Sequence, residues 1–184
     1  AYTEGANTTL SFFARGVYSY KDRYVLTATY RMDGSSKFSG RNKWGFFPSG
    51  AVKWNIKNER FLKRVHWVSD LQLRLSAGIS GNDAINPYQS QQAYASTTSG
   101  YIFNGNQEGA TYPSRVGDPD LTWEKTTMYN LAIEGGFLKN RIKYGIELYH
   151  SQTRDLLIAL KTINTTGYSS RMTNIGKTSN RGIE

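Results

Sequence analysis

The stretch Leu71-Gln72-Leu73-Arg74-Leu75-Ser76-Ala77-Gly78-Ile79-Ser80 alternates aliphatic residues with polar or small ones. Successive side chains of a β-strand point to opposite faces, so this stretch forms a strand with one aliphatic face and one face that carries Gln, Arg and Ser. Ten residues are also about what a tilted strand needs to cross the hydrocarbon core of a bilayer. The stretch therefore predicts a strand in the wall of a transmembrane β-barrel.

Five further segments repeat this alternation and predict strands of similar length. The third strand contains Pro48, which cannot donate to a sheet hydrogen bond and weakens the early part of that strand. After it, apolar residues recur at helical spacing and predict a short amphipathic helix over 58–69. A seventh strand begins near Met172. The five further strands are predicted over 8–20, 24–33, 44–56, 123–137 and 141–152.

The connections between the predicted strands alternate in length. The first, third and fifth hold about three, fourteen and three residues, whereas the second, fourth and sixth hold about ten, forty and twenty. Bacterial barrels have short periplasmic turns and long external loops, so the alternation orients the strands in an outer membrane. Aromatic residues cluster at both ends, as in the girdles of membrane proteins, although strands are rich in aromatics in any case. They are Tyr18, Tyr20 and Tyr24 beside a short turn, and Tyr30, Trp44 and Phe46 beside a long connection.

The composition fits a barrel wall better than an ordinary soluble domain. Of 184 residues, only 38% are hydrophobic but 14% are aromatic, and no run of 18 apolar residues could form a spanning helix. With 23 Lys and Arg against 14 Asp and Glu, the net charge is +9. The basic residues are scattered, with the densest group at 57–64, so a polar lumen and lipid headgroups explain them more simply than nucleic acid does. The absence of cysteine excludes disulfides and thiolate metal sites.

The sequence contains no convincing catalytic or metal-binding constellation. His66 and His150 are far apart in the chain, and Ser151 cannot share a strand face with its neighbour His150. Asp118 and Asp120 could offer carboxylates to calcium, but a turn before the next strand is the simpler role. We therefore expect no enzyme activity, no metal and no cofactor.

Six segments at loops and strand ends form a recognisable series. They are DGSSKF at 33–38, WGFFPS at 44–49, WVSDLQLRLSAGISG at 67–81 followed by Asn82, GDPDLTWE at 117–124, TRDLL at 153–157 and NIGKTSNRGIE at 174–184. Together they resemble the SusC/RagA family of TonB-linked outer-membrane transporters of Bacteroidota. Each segment is weak evidence alone, but all six occur in the order that the family shows. A small departure follows Pro48, where SGAVKWNIK stands in place of the more usual Gly-Trp-Arg run.

The resemblance implies an all-β fold, with about seven antiparallel strands of a 22-stranded transmembrane barrel and long external loops. Residues 1–184 would be part of the TonB-dependent receptor barrel domain, with the signal peptide and plug upstream. An odd strand count and an end within a strand at Glu184 agree with this expectation. The implied function is import of oligosaccharides or peptides across the outer membrane. The implied partners are TonB, a SusD-like lipoprotein lid, and the bilayer with its lipopolysaccharide.

Three other functions remain open at this point. A passive porin-like channel would need neither plug nor lid. An outer-membrane adhesin or surface glycan-binding protein would use the same loops without import, and an outer-membrane hydrolase is the most distant alternative.

Recognition of a sugar or peptide needs aromatic platforms and polar groups in a wet, concave place. The forty-residue connection supplies both, together with amides at Asn82, Gln89, Gln91 and Asn104. The same residues could instead pack the loop onto itself or onto a lid. The predicted ligand-binding residues are Tyr88, Tyr94, Tyr101, Phe103, Tyr112 and Arg115. The charged residues predicted to face the lumen, and to pair with the plug or with each other, are Arg15, Arg31, Lys53, Arg74, Glu134, Lys143 and Glu147.

Overall fold

A computed structural model describes residues 6–168 and 170–184, and this part of the chain consists of antiparallel strands joined by turns. No helix in these residues is long and apolar enough to cross a membrane. The strands are β1 Thr9–Tyr20, β2 Tyr24–Ser35, β3 Trp44–Phe46, β4 Ser49–Asn55, β5 Val68–Asn82, β6 Ala93–Phe103, β7 Asn106–Arg115, β8 Glu124–Phe137, β9 Ile142–Arg154, β10 Leu157–Lys161, β11 Ser170–Asn174 and β12 Lys177–Ile183.

Seven of these strands form one curved wall in the order β1-β2-β4-β5-β8-β9-β12. The short strand β3 pairs with β2 in the same register as β4, because Met32 faces Phe46 and Thr29 faces Ser49. The predicted third strand therefore keeps a single register with β2, and its pairing is interrupted only around Pro48, which has no backbone donor. The prediction of about seven antiparallel wall strands is confirmed.

The register places apolar residues beside one another across the whole wall. Residues that pair directly in neighbouring strands share a face, so one apolar row crosses all seven strands. Its outer side is solvent-accessible in the isolated chain, with Leu75 56% exposed. This is the surface that lipid covers in a barrel. The row consists of Tyr18, Leu26, Val52, Leu75, Leu131, Leu148 and Ile183.

The predicted amphipathic helix over 58–69 is wrong. A single 3-10 turn covers Ile56–Asn58, and further turns lead to β5. The Lys57 ammonium donates to the carbonyls of Leu62 and Val65, at 3.2 and 2.7 Å. These are carbonyls that a continuing helix would pair with its own amides, so the lysine closes the segment into a compact turn.

Both of the longest connections contain hairpins that were not predicted. Strands β6 and β7 pair within the forty-residue connection, and β10 pairs with β11 within the next. Met172 consequently belongs to β11, and the seventh wall strand is β12, which begins at Lys177. The signal that was missed is Asn104-Gly105, which takes φ values of 49° and 80° as a two-residue type I′ hairpin turn requires.

Candidate functional site

Three connections at one end of the wall, residues 36–43, 83–123 and 155–176, fold together into a unit that we call the external cap. Its centre is a buried apolar cluster against which Ile79, Leu157 and Met172 also pack. Leu121 is 0% exposed and Phe38 only 1%. Loops seldom have a core of their own, so this cluster makes the cap a folded element. The cluster consists of Phe38, Phe47, Ile85, Leu121 and Trp123.

Two glycines make room for the ring of Phe47 in this cluster. A β-carbon at Gly45 or at Gly81 would overlap that ring. On its other side, the ring meets Trp123 edge-on with centroids 5.4 Å apart, and the Trp123 indole donates to the Lys43 carbonyl at 3.2 Å. The glycines therefore allow the cap core to pack directly against the ends of β3 and β5.

The side-chain amide of Asn174 links the second and third connections of the cap. The Asn174 side chain accepts from the Thr122 amide at 2.8 Å and donates to the Thr122 carbonyl at 2.9 Å. It also donates to the Asp155 carbonyl at 2.8 Å. Beside it, the Glu124 carboxylate accepts from the Leu157 amide at 3.1 Å. The two connections are thus tied together at the level where the wall ends.

Asp118 has a structural role in the cap. Its carboxylate is almost fully buried, pairs with the Arg171 guanidinium at 2.9 Å, and accepts from the Asp120 amide at 3.1 Å. A buried carboxylate needs such partners, since an unpaired buried charge is costly. Within the described residues, no group of three or more His, Asp or Glu side chains is placed to hold a metal ion.

A second polar contact ties the first connection to the start of the second. Ser35 donates to the Asp83 carboxylate at 2.8 Å, and the Lys37 ammonium donates to the Asp83 carbonyl at 2.9 Å. Ser90 in turn donates to the Lys37 carbonyl at 3.2 Å. These residues were not predicted as functional, because their partners lie about 46 to 53 positions away along the chain.

The β6–β7 hairpin brings three predicted ligand-binding residues onto one face. In the pairing, Tyr101 faces Glu108, Phe103 faces Asn106 and Ala95 faces Tyr112. The register shift between Thr97 and Tyr101 places its extra residues on β6, so the alternation along β7 is intact and Asn106, Glu108 and Tyr112 share a face. Since paired residues also share a face, Tyr101, Phe103 and Tyr112 lie on the same face of the hairpin. All three are exposed, and Phe103 is 68% exposed. The exposed side chain of Tyr94 pairs with Pro113 and lies on the opposite face.

The other two predicted ligand residues lie at the base of this hairpin. Tyr88 is exposed and stands in a left-handed turn with φ 64°. The Arg115 guanidinium donates to the Gln91 carbonyl at 3.4 Å and holds the ends of the hairpin together. The six predicted residues therefore do not form one cluster: three share a hairpin face, one lies on the opposite face and two lie at the base.

The polar face of the wall carries paired charges and a shallow hollow. Arg74 contacts Glu134 at 3.4 Å and Glu147 at 3.3 Å, across three neighbouring strands. Nearer the cap, a hollow of about 430 Å³ is lined mostly by small and hydroxyl-bearing residues, among them Thr27, Ser49 and Ser76. This face therefore offers charged and hydroxyl groups to water at both places.

At the opposite end of the wall, Glu59 anchors the third connection. Its carboxylate accepts from the Tyr24 hydroxyl at 2.8 Å and from the Trp54 indole at 3.2 Å, and pairs with Arg23 at 3.3 Å. These contacts, the hydrogen bond from Tyr24 first, lower the pKa of Glu59 below its usual range. Tyr24 and Trp54 pair on the aliphatic face, so the connection is fixed to the lipid-facing side of the wall.

Comparison with known proteins agrees with this geometry. The chain belongs to the family described as TonB dependent receptor-like, beta-barrel, whose model matches residues 1–184. It is 42% identical to the TonB-dependent receptor SusC of Bacteroides thetaiotaomicron over 97% of this chain and 18% of that protein. It is 39% identical to the TonB-dependent receptor P26 of Formosa agariphila over 95% of this chain and 17% of that protein. The chain thus spans less than a fifth of these relatives.

Solved structures show the same wall. The RagAB peptide transporter matches 96% of this chain and 19% of its own chain, with a TM-score of 0.87 at 30% identity. The siderophore receptor PirA of Acinetobacter baumannii matches 96% of this chain and 25% of its own chain, with a TM-score of 0.61 at 16% identity, a likeness of fold alone. The resemblance to the SusC/RagA group is confirmed, and the chain is an outer-membrane protein.

Proposed function

We propose that this chain forms about seven wall strands and the external cap of an importer that carries oligosaccharides or peptides across the outer membrane with energy delivered through TonB. The observation that carries the proposal is the likeness of the wall and cap together to the RagAB peptide transporter, over 96% of the chain. In this proposal, the plug domain that gates the lumen belongs to the remainder of the full-length barrel protein.

The cap is the part that meets substrate. Tyr101, Phe103 and Tyr112 form an exposed aromatic face on the hairpin, which suits stacking against sugar rings or peptide side chains. Sugars and peptides also need polar partners, and Glu108 stands directly opposite Tyr101 on the same face. A SusD-like lipoprotein lid would close over this end of the barrel and complete the enclosure.

The test uses the full-length protein in a host whose own copy is deleted. Growth is measured on defined oligosaccharide and peptide pools, with TonB present and with TonB removed. We expect growth on one class of pool, and we expect it to require TonB. Growth that survives the loss of TonB would indicate a passive channel, and surface binding without uptake would indicate an adhesin; either result contradicts the proposal.

The role of the hairpin is tested separately. The combined change Tyr101→Ala, Phe103→Ala and Tyr112→Ala removes one face, and Tyr94→Ala with Ile102→Ala changes exposed residues of the same hairpin elsewhere. We expect the first variant to lower the rate of uptake by tenfold or more at limiting substrate, on the order of 1 kcal/mol per stacking ring, and the second to retain most of it. Equal effects would contradict a role for this face, although import itself could still stand.

A further inference from the structure

The positive charge of the chain is concentrated at one end of the wall. The three connections at the end of the wall opposite the cap, residues 21–23, 56–67 and 138–141, contain eight Lys and Arg residues against two Asp and Glu. The three connections of the external cap contain six against five, although together they are far longer. Since the tight turns at 21–23 and 138–141 are typical of the periplasmic side of bacterial barrels, the basic end faces the periplasmic leaflet of the outer membrane.

The longest of these three connections, residues 56–67, lies against the lipid-facing side of the wall. Glu59 is held by Tyr24 and Trp54, whose rings stack with centroids 6.3 Å apart on the aliphatic face. At its other end, Trp67 stacks on Phe137 at 5.4 Å. The Trp67 carbonyl accepts from the Leu138 amide at 3.0 Å, which joins this connection to the 138–141 turn.

Two charged residues of this connection have partners within the protein, and three form no ion pair there. Lys57 is bound to the carbonyls of Leu62 and Val65, and Glu59 pairs with Arg23 of the neighbouring turn. In the described ranges 6–168 and 170–184, Arg60, Lys63 and Arg64 are exposed and form no ion pair. Three exposed charges of one sign on one connection create a positive potential that attracts negative charge from outside the chain.

Exposed apolar rings stand among these charges. Phe61 is 66% exposed and Trp67 is 62% exposed, both on the connection that carries the three free charges. Aromatic rings at the acyl boundary with basic residues at the phosphate level are the features of an interfacial lipid-binding segment. A soluble acidic partner would satisfy the charges but would not explain why the connection is anchored to the lipid-facing aromatics.

We propose that residues 56–67 form a binding site for anionic phospholipid headgroups of the periplasmic leaflet. In this site, Arg60, Lys63 and Arg64 contact headgroup phosphates and Phe61 inserts at the boundary of the acyl chains. The site is independent of substrate import, since it lies at the end of the wall away from the cap.

The test uses full-length protein in nanodiscs that contain equal amounts of phosphatidylglycerol and phosphatidylcholine, with retained lipids counted by native mass spectrometry. We expect phosphatidylglycerol to be enriched on the wild-type protein, and the enrichment to fall when salt is raised from low to high concentration. In R60Q/K63Q/R64Q, the enrichment should fall by about fivefold for each charge removed at low salt. The variant R60K/K63R/R64K, which keeps the charges, should retain it.

The matched control is R41Q/K161Q/K177Q, which removes three exposed charges at the other end of the wall and should keep the enrichment. Equal loss in the control would overturn the proposal, as would the absence of enrichment on the wild-type protein. Competition by millimolar inorganic phosphate would also overturn it, because the site would then bind free phosphate. If the triple glutamine variant fails to assemble, the single variants R60Q and R64Q test the same site, since each should lower the enrichment by about fivefold at low salt; no loss in either would overturn the proposal.

Discussion

The wall and the external cap are stabilised in opposite ways. The wall exposes its apolar side chains, with Leu26 50% exposed and Leu75 56% exposed. The wall is a single sheet, so lipid rather than a second layer of protein covers these side chains. The cap buries its own, with Leu121 at 0% and Trp123 at 5%. The stability of the cap therefore comes from internal packing, as in a small soluble domain, whereas the stability of the wall also requires contact with lipid. Substitutions of similar size should have different consequences in the two regions.

The largest effect is expected in the cap core. Trp123→Ala removes a buried ring that packs against Phe38 and Phe47, so it should destabilise the cap by about 3–5 kcal/mol. Hydrogen exchange of the full-length protein should show rapid exchange over 83–123 and 155–176, with the wall strands still protected. Ile102→Ala is the control, because that side chain is 74% exposed, and it should change exchange little. If both variants exchange alike, the cap has no core of its own.

The matching test in the wall compares neighbouring residues of β5. Leu75 pairs with Val52 and Leu131 on the aliphatic face, whereas Ser76 pairs with Asn130 on the polar face. Leu75 lies further from the girdle residue Trp54 than Leu73 does, so Leu75→Arg should cost roughly 2–4 kcal/mol, and Ser76→Arg much less. Assembly is measured as the heat-modifiable folded fraction in outer membranes. Equal loss in the two variants would mean that the faces are assigned wrongly.

A smaller effect is expected where the two regions meet. Asn174→Ala removes two hydrogen bonds to Thr122 in the second connection and one to Asp155 within the third connection, and it leaves the Thr122 amide and carbonyl without that partner. We expect a loss of about 2 kcal/mol, seen as faster exchange at Thr122 and in β10. Asn180→Ala, at an exposed position of β12, is the control and should be close to neutral. Unchanged exchange at Thr122 would show that the hydrogen bonds from Asn174 do not stabilise this part of the cap.

The same contrast explains what the sequence could predict. The wall strands follow from alternation alone, since each residue is lipid-facing or lumen-facing according to its position in a two-residue repeat. The cap core could not be predicted from alternation, because Phe38 and Leu121 are distant in the chain and no periodicity relates them. The β6–β7 hairpin was missed because its alternation is broken by register shifts at Ala93/Tyr94 and Thr97/Tyr101, although Asn104-Gly105 marks its turn.

The site predictions had a similar limit. The sequence shows that the long connection is rich in aromatic residues. It does not show which of them share a face, because that depends on the register of the hairpin. Tyr94 and Tyr112 differ in face for that reason. The helix over 58–69 failed because the Lys57 ammonium pairs with the carbonyls of Leu62 and Val65, an interaction that apolar spacing does not reveal.

The smallest effect is a pH dependence at the end of the wall opposite the cap. The pKa of Glu59 is lower in the folded protein than in the unfolded chain, chiefly because the Tyr24 hydroxyl donates to its carboxylate. A lowered folded pKa means that the unfolded state binds more protons in the acid range, so the stabilisation is present above the unfolded pKa and is lost as the pH falls through the folded value. Glu59→Gln should therefore lower the thermal midpoint slightly at neutral pH and leave it nearly unchanged at low pH. Thermal unfolding of the full-length protein across an acid pH series measures the difference, with Glu108→Gln in the cap hairpin as a control of equal charge change. A difference between wild type and Glu59→Gln that grows towards acid pH would contradict the assigned role, because only an ionised Glu59 can pair with Arg23 and accept from both girdle aromatics at once.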